Sequence, residues 1–194
     1  AGLNPYALME PLCEQLPADA VVSCTNATPS LALFQAGAVK RGQRMFCNSG
    51  CAAMGFGLPA ALGAAAAVRG KRPVVCLEGD GSLMMNLQEL QTIIHHRMPI
   101  KIFLINNGGY HSIRQTQKTH FHDPLVGIGV DSGDLSFPSM EKLAWAYGYP
   151  YVAAHHNSEL AGAVEQTLAT DGPVICEIFV DMEQNFEPKA AAKM

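Results

Sequence analysis

The 194-residue sequence is poor in charge and has no basic excess: 13 Lys+Arg stand against 17 Asp+Glu, a formal net charge of −4. Duplex binding needs clustered cations to neutralise phosphates, so nucleic acid is not an expected partner. Aromatics are scarce at 7%, yet hydrophobic residues reach 48%, enough for a sizeable core and too many for a disordered chain. The length suits one domain. The six cysteines (Cys13, Cys24, Cys47, Cys51, Cys76 and Cys176) do not form a zinc set, because the Cys47/Cys51 pair has no second pair or nearby His to complete it. Cys76 and Cys176 lie in apolar runs, where a thiol behaves as a small hydrophobe. Reduced thiols and a cytoplasmic location are therefore expected. Ala1–Leu16 lacks the basic start and long apolar core of a secretory signal, and the opening Ala reads as the start of a cut or excerpted chain. No Gly-x-Gly-x-x-Gly opens a helix after the first strand, which argues against a Rossmann dinucleotide binder.

Long hydrophobic runs are also nearly absent. Cys51–Val68 carries no charge, and its length reaches the roughly 18 residues of a membrane-span candidate. It contains Gly55, Gly57, Pro59 and Gly63, however, and most of the remainder is alanine, so a buried helix packed closely on a sheet is expected and a membrane is not.

What is present alternates. Helical spacing marks Pro5–Gln15, Leu31–Ala38, Gly55–Val68, Ser139–Tyr147 and Ser158–Ala169. A further helix, with Leu87, Leu90, Ile93 and Ile94 on one face, is expected to open on a capping box of Asn86 and Glu89. Strands are expected at Ala20–Cys24, Pro73–Leu77, Ile100–Ile105, Tyr149–Ala153 and Pro173–Val180. Lys118–Phe137 reads as a long polar connection, functional or mobile. Strands apolar on both faces and separated by helices predict an α/β fold, a parallel sheet with helices on both faces. Ligands then bind beyond the carboxyl ends of the strands.

Two such ends carry glycine-rich turns. Glu78-Gly79-Asp80-Gly81-Ser82 follows one buried strand and Asn106-Asn107-Gly108-Gly109-Tyr110 follows the next. A right-handed crossover puts both turns on one sheet edge, so Asp80 and Asn107, 27 positions apart, can converge. A carboxylate oxygen, an amide oxygen and backbone carbonyls at sharp glycine bends suit Mg²⁺ or Ca²⁺. Glycine also lets the backbone approach a phosphate. Together they read as a metal–diphosphate site.

Gly79-Asp80-Gly81, 24 residues, then Asn106-Asn107 resembles the thiamine diphosphate signature of the pyruvate decarboxylase and acetolactate synthase superfamily. Asn48–Ala61 is similar to the segment those enzymes place before it, and Pro173–Val180 with Asn185–Pro188 to the end of such chains. The resemblance implies a pyrophosphate-binding (PP) domain fold of about six strands over residues 1–187, with a tail at 188–194. It implies Asp80, Asn107 and the Gly109 carbonyl as Mg²⁺ ligands. Gly79, Gly81, Ser82, Tyr110 and His111 would bind the diphosphate, the Ala52 and Met54 backbone the aminopyrimidine, and the Met54 side chain would wedge the cofactor into a V. By spacing alone, Met54 reads as core filling.

The pyrimidine-binding (PYR) domain, which in this superfamily supplies the catalytic glutamate, has no counterpart in the sequence. The resemblance therefore implies a partner chain or segment, and a homo- or hetero-oligomer. The implied reaction is decarboxylation of a small-molecule 2-oxo acid with carboligation. The alternatives are a two-chain decarboxylase of sulfo- or phosphonopyruvate type that releases an aldehyde, and a non-catalytic PP-like domain. His111 is a candidate catalytic residue. His120 and His122 could serve substrate closure, while His95, His96, His155 and His156 read as structural or surface residues. Ile113 stands where pyruvate decarboxylases have a glutamate, and Thr116 where biosynthetic acetolactate synthases have a tryptophan, so neither substrate preference carries over.

Overall fold

The structure, a computed structural model, describes residues 2–121 and 124–188. The expectation placed on His122, and that on the tail beyond Pro188, lie outside these residues. Six strands form one sheet: β1 (Val21–Cys24), β2 (Arg44–Cys47), β3 (Val74–Gly79), β4 (Ile100–Asn106), β5 (Tyr151–Ala154) and β6 (Val174–Phe179). Every pairing is parallel, in the order β2-β1-β3-β4-β6-β5. The helices are α1 (Met9–Gln15), α2 (Ala27–Ala36), α3 (Gly57–Val68), α4 (Asp80–Leu83), α5 (Glu89–His95), α6 (His111–His120), α7 (Met140–Tyr147) and α8 (Leu160–Ala169).

The alternation of side chains along each strand builds two cores. Val75, Leu77, Phe103 and Ile105 pack with Leu12 of α1, Leu33 of α2 and Val164 of α8. Cys76, Ile102 and Leu104 point the other way, onto Leu58 of α3, Ile93 of α5 and Met140 of α7. The expected α/β sheet covered on both faces is what forms, and its central strands are apolar because neither face meets water. The alanine-rich segment is α3, and among the described residues no helix is long and apolar enough to cross a membrane. All six cysteines are free.

Four local expectations fail. The capping box does not form: α5 starts at Glu89 with helical backbone at Gln88 and no side-chain cap. The Asn86 amide instead donates to the Gly55 carbonyl at 2.8 Å. His120 ends α6 rather than lying in a loop. Helix α2 starts at Ala27, ahead of its apolar run, and edge strand β2 forms where no strand was expected, drawn in by pairing with β1.

Candidate cofactor site

The chain reverses direction across the sheet between β1 and β3, and in open α/β sheets such a switch point leaves a crevice at the carboxyl ends. A cleft of about 230 Å³ opens there, lined from the β1 end by Asn26–Pro29, from the β3 end by Gly79–Ser82, and after β4 by Asn107 and Gly109–Ile113, with Met54 on its wall. Asp80 (2% exposed), Asn107 (6%) and His111 (5%) are buried in it. Each keeps one polar atom without a partner, Asp80 Oδ2, Asn107 Oδ1 and His111 Nε2. Among the described residues these are the only buried side-chain polar atoms so left. Burial pushes the Asp80 carboxyl up to about 7, against the pull of the Gly81 and Gly109 N–H groups.

The orientation of Asn107 is not arbitrary. Its Nδ2 donates to Thr28 Oγ1 at 3.0 Å, which leaves Oδ1 as a bare acceptor. An isolated antiparallel bridge joins Gly109 to Gly129, made by Tyr110 N–H to Ile128 O and Val130 N–H to Gly108 O. The Gly109 carbonyl stays outside that ladder. Gly109 has φ +140°, and a Cβ there would lie 2.1 Å from Ile128 O, so no other residue fits. A Cβ on Gly81 would likewise strike the Tyr110 ring at 2.4 Å. The Tyr110 ring is held edge-on by Phe137, 5.6 Å between centroids.

Arg114, fully buried on α6, braces this loop. Its Nε and Nη2 bind both carboxylate oxygens of Asp131 at 2.8 and 2.9 Å, and its remaining N–H groups reach the carbonyls of Asn107 and Gly108 at 3.4 Å. The guanidinium also holds the Asp131 carboxyl below its usual range. Nη1 of Arg114 lies 3.5 Å from His111 Nδ1. Burial and this charge push the imidazole pKa down, and because the guanidinium can only donate, Nδ1 faces it as an acceptor.

The family described as "Thiamine pyrophosphate enzyme, C-terminal TPP binding domain" matches residues 27–178. The chain belongs to this family. It is 33% identical over 181 residues to "Acetolactate synthase isozyme 2 large subunit" of Escherichia coli (strain K12), covering 93% of this chain and 32% of that protein. With "Acetolactate synthase 1, chloroplastic" of Nicotiana tabacum it shares 31% over 191 residues, 96% of this chain and 28% of the relative. Among solved structures, a thiamine diphosphate-dependent 4-hydroxybenzoylformate decarboxylase of Rhodococcus jostii RHA1 superposes with TM-score 0.79 at 27% identity, over 93% of this chain and 33% of that one. The chain thus spans about a third of the length of the relatives it matches.

Within this TPP-binding domain most expected residues meet in one cleft: Met54, Gly79, Asp80, Gly81, Ser82, Asn107, Gly109, Tyr110 and His111. Ala52 stays out of it, exposed, with its N–H spent on Asn48 O at 2.7 Å. The Ser82 hydroxyl is engaged by Thr25 Oγ1 and by the Gly55 N–H, both at 2.7 Å, so it pins the Met54 loop to the Gly79–Ser82 turn. Ile113 lines the cleft, whereas Thr116 is exposed and donates to Ser112 O. Sequence reasoning missed Asn26–Pro29, Arg114 and Asp131. The signal at Asn26-Ala27-Thr28 was its position straight after a buried strand; Arg114 and Asp131 carry no local signal.

Proposed function

We propose that this domain holds the diphosphate end of thiamine diphosphate through Mg²⁺, as one half of an acetolactate synthase-like enzyme that decarboxylates a 2-oxo acid and ligates the resulting acyl unit to an acceptor. The observation that carries the reading is the pair of buried, unpartnered oxygens, Asp80 Oδ2 and Asn107 Oδ1, in one cleft that Gly109 also lines. Leaving such oxygens buried costs about 1–3 kcal/mol or more each, and a hard cation is the partner that an all-oxygen set prefers. A Mg²⁺ ion there would complete its shell with diphosphate oxygens and water.

When bound, the cofactor supplies an electron sink for the pair released with CO₂. This chain's residues do the rest of the positioning. The backbone of Gly81 and Ser82 and the start of α2 at Asn26–Thr28 receive the anion, where unpaired helix N–H groups favour it. Met54 stands on the wall as the apolar wedge, and His111 lines the cleft beside Tyr110. Large apolar side chains at Met85, Ile113 and Val130 are exposed; Ile113 lines the cleft, Met85 stands beside Gly55 next to Met54, and Val130 beside Gly108 next to Asn107. This supports a PYR domain closing over the cleft and supplying the glutamate.

The test is calorimetric titration of the full-length protein with thiamine diphosphate, with and without Mg²⁺. Cation-dependent binding is expected, and its absence would leave only a PP-like domain without catalysis. Product analysis with pyruvate then separates the readings: acetolactate supports carboligation. Acetaldehyde supports the decarboxylase alternative, which the solved decarboxylase neighbour also favours.

A further inference from the structure

Two buried glutamates flank the central strand. Glu78 of β3 and Glu177 of β6 are both in register with Leu104 of β4, so they stand on the same sheet face to either side of it. Glu78 is 0% and Glu177 2% exposed. Their surroundings differ. Glu78 accepts from the Leu58 N–H at 3.1 Å and the Gly79 N–H at 3.0 Å, so it faces the positive end of twelve-residue α3, while burial still pushes its carboxyl pKa up. Glu177 has no helix end. Its Oε1 accepts from Asn106 Nδ2 at 2.6 Å and its Oε2 from the Tyr151 hydroxyl. The Asn106 amide cannot turn over, because its Oδ1 accepts from the Gly108 N–H at 2.9 Å. Both Glu177 oxygens therefore accept from neutral groups. No Lys or Arg pairs with Glu177 among the described residues. A carboxylate buried among neutral donors is costly unless a cation compensates it.

The hydrogen-bond chain Tyr151–Glu177–Asn106–Gly108 ends on the Asn107–Gly108 peptide. We infer that Glu177 is a positioning residue for the Asp80–Asn107 cation site, holding the loop through Asn106 and supplying negative charge without touching the ion. The inference rests on the reading of that site given above. Carboxylates one layer behind a metal commonly set its affinity in this way.

The experiment is a Mg²⁺ titration of the full-length protein at saturating thiamine diphosphate, pH 8, comparing wild type with Glu177→Gln. The glutamine keeps the bond from Asn106 and loses the charge. A fall in Mg²⁺ affinity of roughly 10–100-fold is expected, with the apo melting temperature unchanged or higher and full loading restored by excess Mg²⁺. Repeating the titration with La³⁺ should show a larger loss, since the missing Coulomb term scales with ion charge. A variant that binds Mg²⁺ within twofold of wild type overturns the inference. Should Glu177→Gln not fold, Tyr151→Phe removes one neutral donor and leaves the charge. Affinity held within threefold then supports the charge role, and a tenfold loss refutes it. A wild-type protein that takes up no Mg²⁺ would remove the site and the inference with it.

Discussion

The two ends of the same sheet are built to opposite rules. At the amino-terminal end, buried and half-buried cations and amides are spent on carbonyls. Lys101 Nζ donates to the carbonyls of Thr170 and Gly172 after α8, Arg72 to those of Asp19 and Gly42, and Lys40 and Gln43 to those around Leu16 and Pro17. At the carboxyl end, three buried polar atoms have no partner, and all three belong to residues lining one cleft. One end closes the backbone account of the fold. The other leaves buried oxygens bare, which is tolerable only where a ligand completes them. The distinction follows from strand direction: parallel strands send every β-to-α turn to one edge, so glycine-rich turns from distant parts of the chain meet there.

Mutations at the two ends should therefore separate binding from stability. The largest effect is expected of Asp80→Ala, which removes the anionic ligand. Mg²⁺-dependent thiamine diphosphate binding should vanish in calorimetry while the melting temperature holds or rises, because a costly buried carboxyl has gone. Tight residual binding would break the comparison. Gly109→Ala forces a side chain into Ile128 O, and should cost about 1–3 kcal/mol in chemical denaturation together with cofactor binding, because the clash displaces the loop that carries Asn107. Lys101→Met, at the far end, should cost about 1–3 kcal/mol and leave the cofactor Kd unchanged. A shifted Kd would show that the ends are coupled. The smallest effect concerns Asp131. Arg114 lowers its native pKa, so between that value and the unfolded pKa near 4 the unfolded chain binds more protons. The stability it contributes is present above about pH 4 and is lost as pH falls through the native pKa. The melting-temperature gap between wild type and Asp131→Asn should accordingly be flat from pH 5 to 8 and close at lower pH.

Much of the site is legible before folding is considered, for a local reason. A buried strand such as Pro73–Leu77 followed at once by Gly-Asp-Gly announces both its burial and its turn, and Ile100–Ile105 before Asn-Asn-Gly-Gly does the same. Legibility stops where the partner is remote. The Asn86/Glu89 spacing is a sound cap pattern, yet Asn86 finds a stronger use on Gly55, 31 residues earlier. Nothing near Gly129 shows that it packs against Gly109, or near Asp131 that it meets Arg114.

By itself the sequence determined the strand cores, the two-sided burial and the residue types offered at the strand ends, because burial and turn chemistry are written within a few residues. Only the tertiary structure decided which of those groups keep an unpartnered atom and which are consumed. Ser82 is consumed by Thr25 and Gly55, while Asp80 and Asn107 are left bare. The reason is that hydrogen-bond partners are assigned by distances across the sheet edge, and no periodicity along the chain encodes those distances.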